Sequence, residues 1–169
     1  MKSIKYLLTS LCLLATPVQA TTNEVMLDMV EWITENSKYE YSGQKLPWVE
    51  VRTQQEICEV LFETPPQPCP ALAYYDDTIN AIFLSPDPIG GMVQEKFIEV
   101  ILFHELVHFL QYVNEEHKNV ECLNALERDA YKLQDAYIEE MGWPDEQRPN
   151  MLFAYVISAC AREPAWPEQ

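Results

Sequence analysis

Two histidines and a glutamate stand within one five-residue segment of a stretch that is otherwise apolar. The segment is His104-Glu105-Leu106-Val107-His108, and it has the His-Glu-x-x-His pattern of helical zinc sites. Residues four apart on a helix lie on one face about 6 Å apart, so both imidazoles can reach one tetrahedral zinc ion. Glu105 can then take a proton from a water activated by the metal. The pattern predicts a zinc site for hydrolysis.

Zinc held by two histidines needs a third protein ligand and an open position for water. The helix is expected to continue about five residues beyond His108, a rise of roughly 8 Å, before a polar break at 114–119. A returning antiparallel helix, counted from Val120, comes level with the metal after about six to eight residues. That count arrives at Glu127, which we predict to be the third ligand.

Other side chains near this point fit the ligand role less well. Glu121 and Asp129 point to other sides of the second helix if Glu127 faces inward, and Asp135 lies two turns farther on. His117 is interpreted as a solvated loop residue. An alternative reading of the motif itself is a chance match, with both histidines being ordinary buried residues. Burying such groups without partners costs about 1–3 kcal/mol each, and a metal supplies the missing partner.

The reaction also requires a group that stabilises negative charge on the substrate oxygen. The sequence offers Tyr131, Tyr155 and Arg162, and we choose Tyr155, on the predicted last helix, as the catalytic partner of Glu105. Tyr131 is an alternative donor that could instead orient a metal ligand.

The elements that must position these groups follow from periodicity and turn signals. An amphipathic helix is predicted over 23–37, a strand over 46–52, and a helix from Thr53 to about Phe62 that starts with a Thr53–Glu56 capping box. Further helices are predicted at about 93–113, 120–141 and 150–161. The one at 93–113 is apolar on most sides and should be central. Asn119 is expected to cap the helix at 120–141, and Gly142 to end it.

Two extended runs, 71–75 and 81–85, flank a turn-like segment and predict a hairpin before the central helix. The second run is placed in sequence to be an edge strand that accepts an extended peptide by backbone pairing. A plain structural hairpin is the alternative.

Residues 1–20 have the basic start, apolar stretch and small-residue end of an export signal, which predicts a single domain over 21–169. A retained anchor is the alternative. The mature protein is then expected in the periplasm or secreted, without stable membrane insertion. With 27 acidic and 11 basic residues and a net charge of −16, the chain is not expected to bind nucleic acid.

Four cysteines follow the predicted signal, an even number that favours disulfides in an exported protein. We favour pairing Cys58 with Cys69, which closes a proline-rich loop, and Cys122 with Cys160. A cysteine-bound structural zinc is the alternative, although the short Cys-x-x-Cys spacing is missing.

The sequence HELVHFLQ at 104–111, followed by ERDAY at 127–131, resembles the gluzincin metallopeptidases, in which two histidines come from one helix and a glutamate from the next. It is similar above all to small secreted bacterial proteins built from the minimal catalytic core. The resemblance covers about 71–141. It implies an α+β, zincin-like fold with a small antiparallel sheet or hairpin on a helical core, and the His-Glu-x-x-His helix at its centre.

The resemblance also implies Zn²⁺ held by His104, His108 and Glu127, with Glu105 as the catalytic base. Larger members have an acid where Tyr131 stands, and a further helical domain. We therefore expect a zinc-dependent hydrolase, a peptidase whose substrate is a peptide or protein. The alternatives are a hydrolase of another amide, such as cell-wall peptide, and a non-catalytic metal-binding or interaction module of the cell envelope. The oligomeric state is left open.

Overall fold

The computed structural model describes residues 17–86 and 95–160, which form an α+β fold. The helices in these ranges are α1 (Pro17–Asn36), α2 (Gln54–Leu61), α3 (Glu95–Val113), α4 (Glu127–Glu140) and α5 (Met151–Ile157). The strands are β1 (Trp48–Val51), β2 (Ala73–Asp76) and β3 (Ala81–Leu84). Both the helices and the hairpin predicted around the metal motif are therefore present.

The predicted signal, residues 1–20, lies outside the described residues except for its last four, which begin α1. This helix therefore starts at Pro17, earlier than the predicted residue 23. Arg162 also lies outside the described residues. Among the residues that the structure describes, no helix combines the length and hydrophobicity needed to cross a bilayer.

The sheet is mixed, with strand order β1-β3-β2. The hairpin strands β2 and β3 are antiparallel, as predicted, but β1 runs parallel to β3. The expectation of a purely antiparallel sheet is therefore wrong. The reason is the connection between β1 and β3, which contains α2, the proline-rich loop and β2. A parallel pair requires a long connection of this kind.

The central position of β3 contradicts the prediction that 81–85 is an edge strand. Both sides of β3 are paired, and all four of its residues are buried. A continuous apolar run such as Ala-Ile-Phe-Leu is typical of a strand covered on both faces. The edges of the sheet are β1 and β2.

The predicted central helix is α3, which packs against α1, α4, β2 and β3. Phe103, Leu106 and Leu110 on α3 are fully buried, as are Val30 and Ile33 on α1. The Phe103 ring stacks on the Tyr137 ring of α4 with centroids 4.2 Å apart. This apolar packing fixes α3 between the sheet and the other long helices.

Helix α4 begins at Glu127 itself, later than the predicted residue 120. Cys122 is extended, and a 3₁₀ turn over Leu123–Leu126 leads directly into the helix. Asn119 does not cap α4, since its backbone N–H instead donates to the Glu116 carbonyl at 2.9 Å and closes an earlier 3₁₀ turn. The prediction of a helix running from 120 through Glu127 is therefore wrong for the segment before Glu127.

The predicted end of α4 is confirmed. Gly142 has a φ of 63°, which lies in the left-handed region, and the Trp143 N–H donates to the Ile138 carbonyl at 3.1 Å. This glycine-dependent arrangement satisfies carbonyls at the end of the helix. The predicted capping box of Thr53 and Glu56 at the start of α2 is also present.

Both predicted disulfides are present, Cys58–Cys69 and Cys122–Cys160. The first closes the loop between α2 and β2. The second joins the segment after α5 to the segment that leads into α4, because α5 ends at Ile157 and not at 161 as predicted. Two disulfides fit an oxidising compartment outside the cytoplasm.

Candidate metal centre

His104 and His108 on α3 and Glu127 on α4 form a compact group. One ligand atom from each lies within 4.8 Å of the other two. The two Nε2 atoms are 3.1 Å apart, and the Glu127 carboxylate oxygens lie 3.1 Å from Nε2 of His104 and 3.3 Å from Nε2 of His108. The side chains are 11%, 14% and 29% exposed, respectively. The structure thus brings together the three side chains predicted as ligands.

The distances within this group are in the range expected for the ligands of one metal ion. Zinc ligands at about 2.0–2.1 Å from the ion are about 3.3 Å apart from one another in tetrahedral geometry. The two Nε2 atoms are 3.1 Å apart, and each lies 3.1 or 3.3 Å from a different oxygen of the Glu127 carboxylate. Two imidazoles and a carboxylate are also a donor set that zinc prefers. The residues present therefore fit this ion.

Two glutamines fix the orientation of the imidazoles. Nδ1 of His104 lies 2.8 Å from Oε1 of Gln134, and Nδ1 of His108 lies 2.7 Å from Oε1 of Gln111. An amide oxygen only accepts, so each Nδ1 carries the hydrogen and each Nε2 faces the common point between the ligands. Sequence analysis did not assign these roles. The available signal was a glutamine three residues after His108 in an apolar helix.

Glu105 is buried beside these three side chains, with 6% of its surface exposed. Burial raises the pKa of its carboxyl, and the negative charge of Glu127 acts in the same direction, against the charges of His108 and His104. The backbone N–H of Tyr75, on β2, donates to this carboxyl and stabilises its ionised form. A group of this kind is suited to exchange a proton with water.

Glu127 and His108 form a charge pair when the protein carries no metal. Burial alone would raise the pKa of Glu127, but hydrogen bonds from His104 and His108 hold that pKa far below its ordinary value. Burial likewise opposes the charge on His108, yet its hydrogen bond to Glu127 and the negative charges of Glu127 and Glu105 together outweigh burial and raise the pKa to about 9. The carboxylate is therefore ionised and available to a cation at neutral pH.

Of the two tyrosines considered for the reaction, Tyr131 contacts the cluster. Its ring lies 4.5 Å from the His104 ring, centroid to centroid. Burial raises the pKa of Tyr131 to about 12, and the charges of Glu127 and Glu105 add to this. Tyr155 on α5 is 62% exposed, and its ring lies 5.1 Å from the guanidinium of Arg128. The catalytic role of Tyr155 stays a prediction.

An open cavity of about 420 Å³ lies beyond Tyr75, along α3 from Glu105. Phe109, Tyr112 and His117 contribute to its wall, and the metal ligands do not. The His117 ring stacks on Tyr112 with centroids 4.4 Å apart, and its Nδ1 atom is buried. His117 is half-buried in the turn after α3, so the interpretation of a solvated loop residue holds only in part: one side of its ring is covered by Tyr112.

A family model described as "Domain of unknown function (DUF6647)" matches residues 19–168. The chain belongs to this family. The DUF6647 match contains all three metal-ligand candidates, Glu105 and both glutamines, together with β1–β3 and α2–α5. No curated protein and no solved structure matches the chain.

Proposed function

We propose that this DUF6647 protein is a zinc-dependent hydrolase of the gluzincin type that cleaves peptide bonds. The observation that carries the proposal is the close grouping of the His104, His108 and Glu127 ligand atoms, within 4.8 Å of one another, beside the buried Glu105 carboxyl. Bound Zn²⁺ supplies a Lewis acid that polarises a carbonyl and lowers the pKa of water to about 7. The two disulfides support a periplasmic or secreted location.

Glu105 is the proton carrier of the proposed reaction. Its carboxylate accepts a proton from the attacking water and passes it to the leaving amine. The Tyr75 N–H holds the carboxylate in place, while burial raises its pKa and so favours its taking up a proton. Because Glu105 follows His104 on the helix, it faces the reacting water without occupying a ligand position. We propose Tyr131, whose ring contacts that of His104, as the donor to a substrate oxygen, with Tyr155 as the alternative.

In this proposal, a peptide substrate pairs with the outer edge of strand β2. The Ser85 N–H donates to the Leu72 carbonyl at 2.8 Å, and this sets the alternation of the hairpin. Ala73 and Tyr75 are consequently the β2 residues whose backbone groups point away from β3. The Tyr75 N–H meets Glu105 on this outer side. A peptide that pairs with the remaining groups of β2 would pass beside the proposed catalytic base.

A second candidate is a non-catalytic metal-binding or interaction module. The observation in its favour is the apolar surface of α5, where Leu152, Phe153 and Val156 are 73%, 54% and 61% exposed. Contiguous exposed apolar residues mark interaction surfaces in many proteins. Activity measurements distinguish this candidate from the peptidase.

The test is cleavage of a mixed peptide library by the purified protein, with and without a chelator, beside Glu105→Gln. We expect chelator-sensitive cleavage that falls by at least about 100-fold in Glu105→Gln, the lower end of the usual range for a proton-transfer group. Zinc content should be unchanged, because Glu105 is not a ligand. The matched control is Glu121→Gln, the same change at an exposed position between α3 and α4.

Two results would contradict the peptidase. Equal inactivity of wild type and both variants, with one zinc bound, favours the interaction module. Loss of zinc in Glu105→Gln would show that the assigned roles of Glu105 and Glu127 are wrong.

A further inference from the structure

Gln111 is a fully buried polar side chain on α3, one turn after His108. Its Oε1 lies 2.7 Å from Nδ1 of His108, and its Nε2 lies 2.9 Å from the Leu126 carbonyl and 3.2 Å from the Tyr39 hydroxyl oxygen. The Tyr39 hydroxyl in turn donates to Asp129 at 3.2 Å. A continuous chain of hydrogen bonds therefore runs from Asp129 to His108.

Two groups that can only accept determine which atoms donate and which accept along this series of hydrogen bonds. The Leu126 carbonyl and the Asp129 carboxylate have no hydrogen to give. The Gln111 NH₂ group must therefore face Leu126, and the Tyr39 hydroxyl must donate to Asp129, which leaves its oxygen to accept from Gln111. Oε1 of Gln111 is then the only end of the amide that can face His108. The amide orientation thus follows from its neighbours.

We propose that Gln111 and Tyr39 are positioning residues that hold His108 with the hydrogen on Nδ1, so that Nε2 binds the metal. This inference rests on the metal site of the proposed function. Tyr39 follows α1, 72 residues before Gln111, and is 2% exposed. The segment after α1 therefore sets the geometry of a metal ligand that it does not touch. A wrong tautomer would turn a hydrogen toward the cation and weaken binding.

The first test is the zinc dissociation constant, measured by competition with a chromophoric chelator. Tyr39→Phe keeps the buried ring and removes the hydroxyl, and we expect zinc to bind about 10-fold more weakly. Asp129→Asn replaces an obligate acceptor with a group that can also donate, and should weaken binding by a smaller factor. Tyr41→Phe is the control, because the Tyr41 hydroxyl donates to the Gln44 carbonyl, outside this chain.

The second test reads the tautomer directly from the ¹⁵N chemical shifts of the histidine rings. In zinc-loaded wild type we expect His108 to bind through Nε2. In metal-free protein, once the His108 ring is neutral, we expect its hydrogen on Nδ1, which faces Oε1 of Gln111. Tyr39→Phe removes one of the two acceptors that orient the Gln111 amide and leaves the Leu126 carbonyl, so the metal-free ring should show more of the other tautomer than wild type, with circular dichroism unchanged.

The outcomes separate this inference from the proposed function. Wild-type zinc affinity and a wild-type His108 spectrum in folded Tyr39→Phe would overturn the positioning role, whatever the protein hydrolyses. If wild type binds no zinc, the metal site itself is refuted, and the metal-free spectra still decide whether Gln111 sets the tautomer. Weaker zinc binding with a mixed tautomer supports the inference even if no peptide is cleaved.

Discussion

Two faces of α3 are both buried but are built by different rules. One face, with Phe103, Leu106 and Leu110, packs in the apolar core. The other carries His104 and His108 toward α4, where both rings make directed hydrogen bonds. Apolar packing depends on size and shape. The polar face depends on which atom donates and which accepts. One helix therefore supports the fold on one side and the candidate metal centre on the other.

The largest expected effect concerns the polar face. Glu127→Ala removes one of three ligands and leaves the two imidazoles without their carboxylate. We expect zinc binding to weaken by about 10³-fold, near 4 kcal/mol, in line with breaking a buried charged pair. Isothermal titration calorimetry on folded protein measures it. Glu121→Ala is the control, and a similar loss there would move the third ligand away from Glu127.

The next effect concerns the apolar face. Leu106→Ala lies inside the metal motif but is fully buried in the core cluster. We expect the free energy of unfolding of the metal-free protein to fall by about 3 kcal/mol, through lost burial and the cavity left behind. Urea denaturation checks this. Zinc affinity should change less than threefold, and a larger change would mean that the two faces do not act separately.

Zinc itself should stabilise the protein only through the polar face. At a free zinc concentration of 100 times the dissociation constant, a ligand that binds only the folded state adds about 2.7 kcal/mol. We expect this increase in the free energy of unfolding for wild type and for Leu106→Ala, and its absence in Glu127→Ala at the same zinc concentration. An equal increase in Glu127→Ala would place the binding site elsewhere.

The smallest expected effect is the coupling between the faces. In a double-mutant cycle of Leu106→Ala and Glu127→Ala, measured by unfolding with zinc present, the two losses should add to within about 0.5 kcal/mol. Leu106→Ala lowers the free energy of unfolding of the metal-free protein. Glu127→Ala removes the part of that free energy that zinc binding adds. A coupling energy above about 1 kcal/mol would show that core packing controls the metal geometry.

The same contrast explains what the sequence was able to predict. The apolar periodicity of 93–113 identified the buried helix, and local signals identified the capping box at Thr53 and the stop at Gly142. The histidine spacing identified two members of the cluster because a helix has a fixed rise and turn. The helix, its cap, its end and the histidine spacing each depend on a short segment, and for that reason the sequence predicted them correctly.

Contacts between distant segments were harder to predict. Nothing near Tyr39 or Gln134 indicates that their side chains serve the histidine cluster through Gln111 and His104. Strand order depends on how β1 returns to the sheet, and the run at 81–85 was therefore misplaced at an edge. The late start of α4 results from the irregular chain around Cys122, where local spacing suggested a continuous helix.

The closeness of the metal-ligand candidates along the chain has a consequence for the order of assembly. The segment from His104 to Glu127 is a short loop, and closing a short loop costs less chain entropy than joining Tyr39 to Gln111. A cation present during folding would therefore link α3 to α4 before the segment after α1 arrives. In that order of events the ion would help α3 and α4 to pair early. The hydrogen bond between Gln111 and Tyr39 would form afterwards and stabilise the ion's surroundings.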